Sequence, residues 1–472
     1  MRPAPRYLPL VAFALLIAVA GIADGGATAT TRPWFAAAAL ALLALVSLTA
    51  PSVERPSTGT RLALIGSGGF AAFTALSLLW SDGALSDSAP VQLAAGYFAL
   101  LAACWLYLRP AERPLRQQLL PALVLSGGAV LAYGLAGRLL PDLVSLPVSA
   151  RAGGRLTEPV GYWNAMGALG AITAVLSIAL AAASNAPRGQ RVIGGAAAPM
   201  AVLALSLSFS RASIAAAAAG VLALLALSQT KAQARAQLLA TIVAGFGALM
   251  LLVLPSVRTD AAADSGQGLV AVLLLIAFGA AGSWLALNTD RPESRPLARP
   301  LRLAAASGAI ALVLLPVTVG AFGGGDAGTR GFGASAERLT QAGSNRSEYW
   351  RVAVDAFADR PLAGNGAGTF GALWLKQRTI DESVRNAHSL PLETAAELGL
   401  AGLLLLGSLF AGVVVAARRS DELTAVAPAI AGLAAWTTTA LVDWQWQVPA
   451  VTGVAALLAG LVLATERAPA SR

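Results

Sequence analysis

The sequence predicts an all-α fold: a polytopic transmembrane helical bundle of about fourteen spans, at least twelve, with a large external loop containing short helices. Three observations carry this. The 472-residue chain is 57% hydrophobic and only 12% charged, with a mean hydropathy of +0.69, whereas soluble domains carry roughly a quarter charged residues. Apolar runs long enough to cross a bilayer recur along most of the length. One polar, arginine-rich stretch, 322–388, interrupts them and divides the chain into helices at 1–321, the long loop at 322–388, and further helices with a short tail at 389–472.

The spans read in order as 8–23, 33–50, 61–80, 91–108, 117–137, 160–184, 192–208, 211–228, 237–255, 267–287, 301–321, 389–416, 422–441 and 449–465. Ala, Leu, Gly and Val dominate them, and small residues let membrane helices approach closely. The first segment has a basic start and Ala-Val-Ala at 18–20, as a signal peptide would; the many later spans favour an uncleaved anchor. The shortest break, Ser208 to Arg211, is tested by charge. With Arg2 and Arg6 in the cytoplasm, the inner segments carry Arg109, Arg116, Arg188, Lys231, Arg291, Arg418 and Arg472 among others. The short outer loops carry few cations and include Asp24, Asp82, Asp87, Asp142, Asp260 and Asp264. The positive-inside bias holds on both sides of that break. The net charge of +9 is therefore a topology signal and excludes a nucleic-acid reading. The orientation puts Arg155, Arg211, His388 and the long loop outside, where ATP is not available, so chemistry there needs a substrate that carries its own activation.

The single cysteine, Cys104, lies in an apolar run and reads as a packed core residue. One Cys, one His and no paired ligand spacing give no metal-binding cluster, and no cofactor is expected. Within the loop, Ser344 or Ser347 is placed to cap a helix running through Trp350, Val354 and Phe357 and ending at Arg360-Pro361. Such a helix is expected on the membrane surface, with Tyr349 and Trp350 at the interface. Gly364-Asn365-Gly366-Ala367-Gly368-Thr369-Phe370 reads as a tight turn that lets backbone approach a ligand or a helix, since no strand precedes it to make a nucleotide loop. The loop holds Arg330, Arg338, Arg346, Arg351, Arg360, Lys376, Arg378 and Arg385. Most read as solvated surface charge; Arg346 and Arg385 lie near elements that can hold them, and arginine's fork of donors suits phosphate oxygens.

His388, the only histidine, precedes a long apolar helix with Ser389 as N-cap and Pro391 in the first turn. The positive helix end disfavours imidazolium, keeping the ring ready to accept a proton, and attracts phosphate. The competing reading is a hydrogen-bonded structural histidine. Arg211, within Ser208-Phe209-Ser210-Arg211-Ala212-Ser213, is a cation between two apolar runs, and Arg155 precedes Glu158, Pro159, Tyr162, Trp163 and Asn164 at a span entrance. Both also read as topology anchors. Asp443, beside Trp444-Gln445-Trp446, is expected to pair with an arginine.

These residues resemble the O-antigen ligase and O-antigen polymerase superfamily of membrane glycosyltransferases. That family's ligase motif is His, then Asn, Ser or Gln, nine residues, Gly, two residues, then Gly, Thr or Tyr; here His388, Ser389, Gly399 and Gly402 satisfy it. The run Arg346, Trp350, Pro361-Leu362, Gly364-Asn365-Gly366, Phe370 looks like the family's loop signature, and Ser210-Arg211 and Arg155 to Asn164 look like its earlier stations, so the resemblance spans roughly 150–450. It implies an inverting, metal-independent transfer of glycan from undecaprenyl diphosphate to a hydroxyl of a lipid, growing polysaccharide or protein. It also implies His388 as the base and Arg211 and Arg346 as the diphosphate clamp with Arg155 and Arg385 beside them, while the motif positions Ser389, Gly399 and Gly402, together with the neighbouring carboxylates Glu393, Glu397 and Asp443, are expected in support. The expected setting is the outer face of the cytoplasmic membrane. A repeat-unit polymerase of the same superfamily is the alternative. The rival from another class is a flippase or transporter of lipid-linked sugar; charged residues at mid-membrane would mark it, whereas here they crowd the outer rim.

Overall fold

The computed structural model describes residues 4–50, 55–81, 88–147, 149–258, 265–289, 295–322 and 345–468. Arg2, Asp82, Asp87, Asp260, Asp264, Arg291, Arg330, Arg338, Ser344 and Arg472, named above, lie outside them.

Each of the fourteen predicted segments coincides with a helix: α1 (Leu8–Ile22), α2 (Thr31–Thr49), α3 (Thr58–Ser77), α4 (Ala89–Leu108), α5 (Leu119–Leu139), α6 (Trp163–Ala181), α7 (Arg188–Leu207), α8 (Arg211–Leu227), α9 (Lys231–Leu252), α10 (Ser265–Asn288), α11 (Arg299–Phe322), α14 (Leu390–Arg418), α15 (Leu423–Ala440) and α16 (Pro449–Ala464). Two shorter helices, α12 (Arg346–Asp359) and α13 (Phe370–Gln377), stand between α11 and α14. Among the described residues nine helices are long and apolar enough to cross a membrane, and four of the others are apolar but shorter. The largest boundary difference is at α9, which starts six residues before the predicted 237. The Thr230 hydroxyl caps it by accepting from the Gln233 amide, so a polar first turn that periodicity reads as loop is already helical.

The break between α7 and α8 is real. Phe209 turns the chain at φ +47°, and the Ser210 side chain caps α8 by accepting from Ser213 N–H at 3.3 Å. The core forms around α6 and α16, buried along almost their whole lengths. Small residues set the closest approaches, as the composition predicts. Where α3 packs along α14, a Cβ on Gly66 would lie 2.4 Å from the Leu409 nitrogen, and one on Gly412 2.4 Å from the Ala63 nitrogen. At the end of the bundle that holds the α3 N-terminus, the buried Glu466 carboxylate accepts from Gly59 N–H, Thr60 N–H and the Ser57 and Thr60 hydroxyls. Arg116 pairs with Glu422 there at 2.5 Å. The residues read as external gather at the opposite end.

Candidate functional site

The site is built on a break in α14. Gly399 has φ +62° and ψ −157° inside the helix, a conformation essentially closed to residues with a side chain. The break frees two carbonyls before it and two amides after it, and the Arg360–Gly366 turn takes all four. Asn365 N–H donates to Ala396 O at 3.1 Å and Gly366 N–H to Glu397 O at 2.8 Å. Leu400 N–H donates to Pro361 O at 2.7 Å and Ala401 N–H to Leu362 O at 3.1 Å. Contact is tight: a Cβ on Gly364 would lie 2.3 Å from the Glu397 carbonyl carbon. The glycine-rich turn expected to approach a ligand or a helix approaches this helix. Gly402, one turn on, makes room for Leu398 and Thr394, 2.4 and 3.1 Å from where its Cβ would stand. Both motif glycines thus shape the segment that follows His388.

Two buried carboxylates on that segment hold the neighbouring loops. Glu397 accepts from Gly368 N–H at 2.9 Å and Phe370 N–H at 3.0 Å, satisfying amides at the start of α13 that have no partner within the helix. Glu393 accepts from Ala387 N–H at 2.9 Å, Gln447 Nε2 at 2.6 Å and Asn386 Nδ2 at 3.5 Å. Ser389 occupies the N-cap of α14 as expected, yet its side chain makes no capping bond.

His388 sits between these anchors in the left-handed region, φ +53°, which histidine visits more readily than most residues. Its Nδ1 is 3.1 Å from the Asn386 carbonyl oxygen. That oxygen can only accept, so the bond places a proton on Nδ1 and leaves the Nε2 lone pair available. The ring lies over Tyr349, centroids 5.0 Å apart. Its pKa falls below the ordinary imidazole value, first because burial disfavours the charged form; Asp443 opposes this, Arg346 adds to it, and the Asn386 carbonyl and Glu382 oppose it. The direction is the one expected from the sequence, but its principal cause is burial.

Asp443, 1% exposed, ties three distant parts of the chain together. Oδ1 accepts from the Tyr162 hydroxyl at 2.9 Å and from Trp444 N–H at 2.8 Å. Oδ2 accepts from Asn164 Nδ2 at 2.6 Å and Arg346 Nη2 at 2.9 Å. The expected arginine pairing is Arg346–Asp443. Tyr162 stacks on Trp444 at 4.4 Å. Arg155 is buried, with its guanidinium 3.8 Å from the Trp163 ring centroid and its Nε donating to Ala152 O. The Ser213 hydroxyl donates to Asn164 O at 3.3 Å, which brings the start of α8, and Arg211 with it, to the same rim. Arg385 is exposed on the loop before His388.

The α12 helix differs from expectation. Its N-cap is Asn345, and Ser347 lies inside the helix. Its buried face is Tyr349, Trp350, Val352, Ala353 and Ala356, while Val354 is 51% exposed. That face packs against α13 and the start of α14, so Tyr349 and Trp350 are core residues of a small cap and not interface anchors. Glu382 was missed by the sequence reading. It accepts from the Tyr349 hydroxyl at 2.8 Å and from Asn345 Nδ2 at 2.7 Å; nothing in its local sequence marks it. Adjoining the site is an apolar cavity of about 360 Å³, lined by Phe70, Tyr97, Phe410 and Trp436 among others, with Glu393 and Glu397 in its wall.

These features define a class: a multi-pass helical membrane protein whose histidine, paired arginine and buried carboxylates gather at one end of the bundle. Residues 261–407 match the family model described as O-Antigen ligase, so the resemblance to the O-antigen ligase superfamily is supported. The matched stretch holds Arg346, Arg385, His388, Glu393, Glu397, Gly399 and Gly402; Arg155, Arg211 and Asp443 lie outside it. A search of curated proteins gave no match.

Proposed function

We propose that this chain is an integral-membrane glycosyltransferase of the O-antigen ligase type. In this reading it moves glycan from undecaprenyl diphosphate to a hydroxyl acceptor at the outer face of the cytoplasmic membrane. The observation that carries it is the His388 ring, anchored through Nδ1 beside the Arg346–Asp443 pair, with its pKa lowered first by burial. Nε2 takes the proton of the acceptor hydroxyl as its oxygen attacks the anomeric carbon of the donor sugar. The bond from that carbon to the diphosphate oxygen breaks, and the electron pair leaves with the diphosphate. A single displacement of this kind inverts the anomeric configuration.

Arg211 and Arg346 are each the first residue of a helix, α8 and α12. Guanidinium and helix N-terminus together favour an anion, so both are suited to the charge that grows on the leaving diphosphate. Arg155 and Arg385 stand beside them as further phosphate contacts. Because cationic side chains meet that charge, the reading needs no metal. The apolar cavity next to the site suits a substrate carried on a lipid.

The test is glycan and lipid analysis of cells carrying His388→Ala against wild type, at matched membrane levels of protein. Lipid-linked glycan should accumulate on the outer leaflet while conjugate or polymer disappears; which product disappears separates ligase from polymerase. Glycan trapped on the inner leaflet would transfer the assignment to a flippase, and an unchanged glycan profile would refute the base.

A further inference from the structure

We infer that Glu393 is a positioning residue for the transfer: it holds the loop bearing His388 so that the imidazole keeps its place against Tyr349 and Arg346. This rests on the reading of His388 as the base.

Glu393 touches the loop on the chain just before the ring, through Ala387 N–H at 2.9 Å and the Asn386 side chain at 3.5 Å. Gln447, from the turn between α15 and α16, donates to the same carboxylate at 2.6 Å. Glu393 is 3% exposed and lies in the short segment between Ser389 and the Gly399 break, which the Arg360–Gly366 turn clamps from outside. The carboxylate and its segment are therefore held from three parts of the chain.

The loop needs that support. A residue with a side chain at φ +53° sits in a sparsely populated conformation that persists only where the surroundings over-determine it. Glu393 is bound next to the strained residue, and the ring is hydrogen-bonded to Asn386 O, on the residue whose side chain Glu393 also accepts from. The groups that face the ring are Tyr349 and Arg346 from α12, Asp443 from the α15–α16 turn, and Glu382 from the preceding loop. Glu393 acts on the ring through the backbone. A misplacement of roughly 1 Å costs on the order of a hundred-fold in rate, and that is the loss expected when the carboxylate is removed.

The chain has one histidine, so protein purified on a histidine-free tag and labelled with ¹⁵N-histidine in lipid nanodiscs reports this ring alone. Wild type, E393A, E393Q and H388A are compared for the imidazole resonance across pH and for transfer rate per inserted molecule. E393A should shift the resonance, move its titration midpoint up towards that of an ordinary imidazole, and lose about a hundred-fold in rate. E393Q should fall between: its oxygen still accepts from Ala387 N–H, but its amide nitrogen meets the Asn386 and Gln447 donors. If E393A fails to insert, E393Q decides by the same two readouts. A wild-type resonance and rate in the variant that decides would overturn the proposal while an inactive H388A leaves the base assignment standing. An active H388A would remove the base assignment itself, whatever the Glu393 variants do.

Discussion

Removing the Asp443 carboxylate separates two roles of the same group. In Asp443→Ala, Arg346, the Tyr162 hydroxyl and the Asn164 amide all lose this shared acceptor at once. Breaking a buried ion pair by deleting one partner costs about 3–5 kcal/mol. Arg346 keeps 22% of its side chain exposed, so water recovers part of its solvation and the lower end, about 3 kcal/mol, is expected. Asp443→Asn is milder. With its oxygen in the Oδ2 place it still accepts from Arg346 and Asn164, and its amide donates to the Tyr162 oxygen, which leaves Trp444 N–H facing a donor. One unsatisfied buried amide costs about 1–3 kcal/mol. The electrostatic effect has its own sign. Asp443 raises the His388 pKa, so either variant should move the midpoint of the pH–rate profile to lower pH. Tryptophan-fluorescence unfolding in one detergent, with transfer rates across pH, measures both. An Asp443→Ala protein that unfolds with the wild type and keeps its pH midpoint would refute the Arg346–Asp443 arrangement as a determinant of either property.

In the wild type, transfer should rise with pH as His388 loses its proton and level off above a midpoint below the ordinary imidazole value of about 6.5; a midpoint above that value would contradict the burial of the ring. Stability follows the same group: the folded pKa is the lower one, so unfolding takes up a proton, and His388's contribution, full above about pH 6.5, is lost as pH falls towards the folded value, which chemical denaturation at several pH values tests against His388→Gln. Gly399→Ala must adopt a backbone conformation costing about 1–3 kcal/mol and place a Cβ 2.6 Å from the Leu362 carbonyl carbon. It should lower the unfolding midpoint and abolish transfer, and normal values of both would show that the break is not required. Arg211→Lys should insert normally but lose at least about ten-fold in transfer, since a point charge replaces the fork; a wild-type rate would remove Arg211 from the clamp.

The spans were legible because bilayer crossing imposes one composition over some twenty residues, and the motif glycines were legible because special backbone sites admit so few alternatives. Asp443 was legible as half of a pair; its partner was open among many arginines because Arg346 lies 97 residues away. The Tyr162–Asp443 bond, 281 residues apart, leaves no local trace either. The buried face of α12 was read through Val354 and Phe357 because a helix of this composition also fits a membrane surface. The structure gives that face a protein partner and turns Val354 outward. Glu382 and Gln447 act only through what the fold brings to them.

The Gly399 break also settles a question of length. As one continuous rod, the 29 residues of α14 would measure about 43 Å at 1.5 Å per residue, well beyond a hydrocarbon layer of roughly 30 Å. From Leu400 to Arg418 the helix measures about 28 Å, close to that thickness. The two turns before the break are surplus to that length, and they carry Glu393 and Glu397, whose carboxylates hold the loops of the cap.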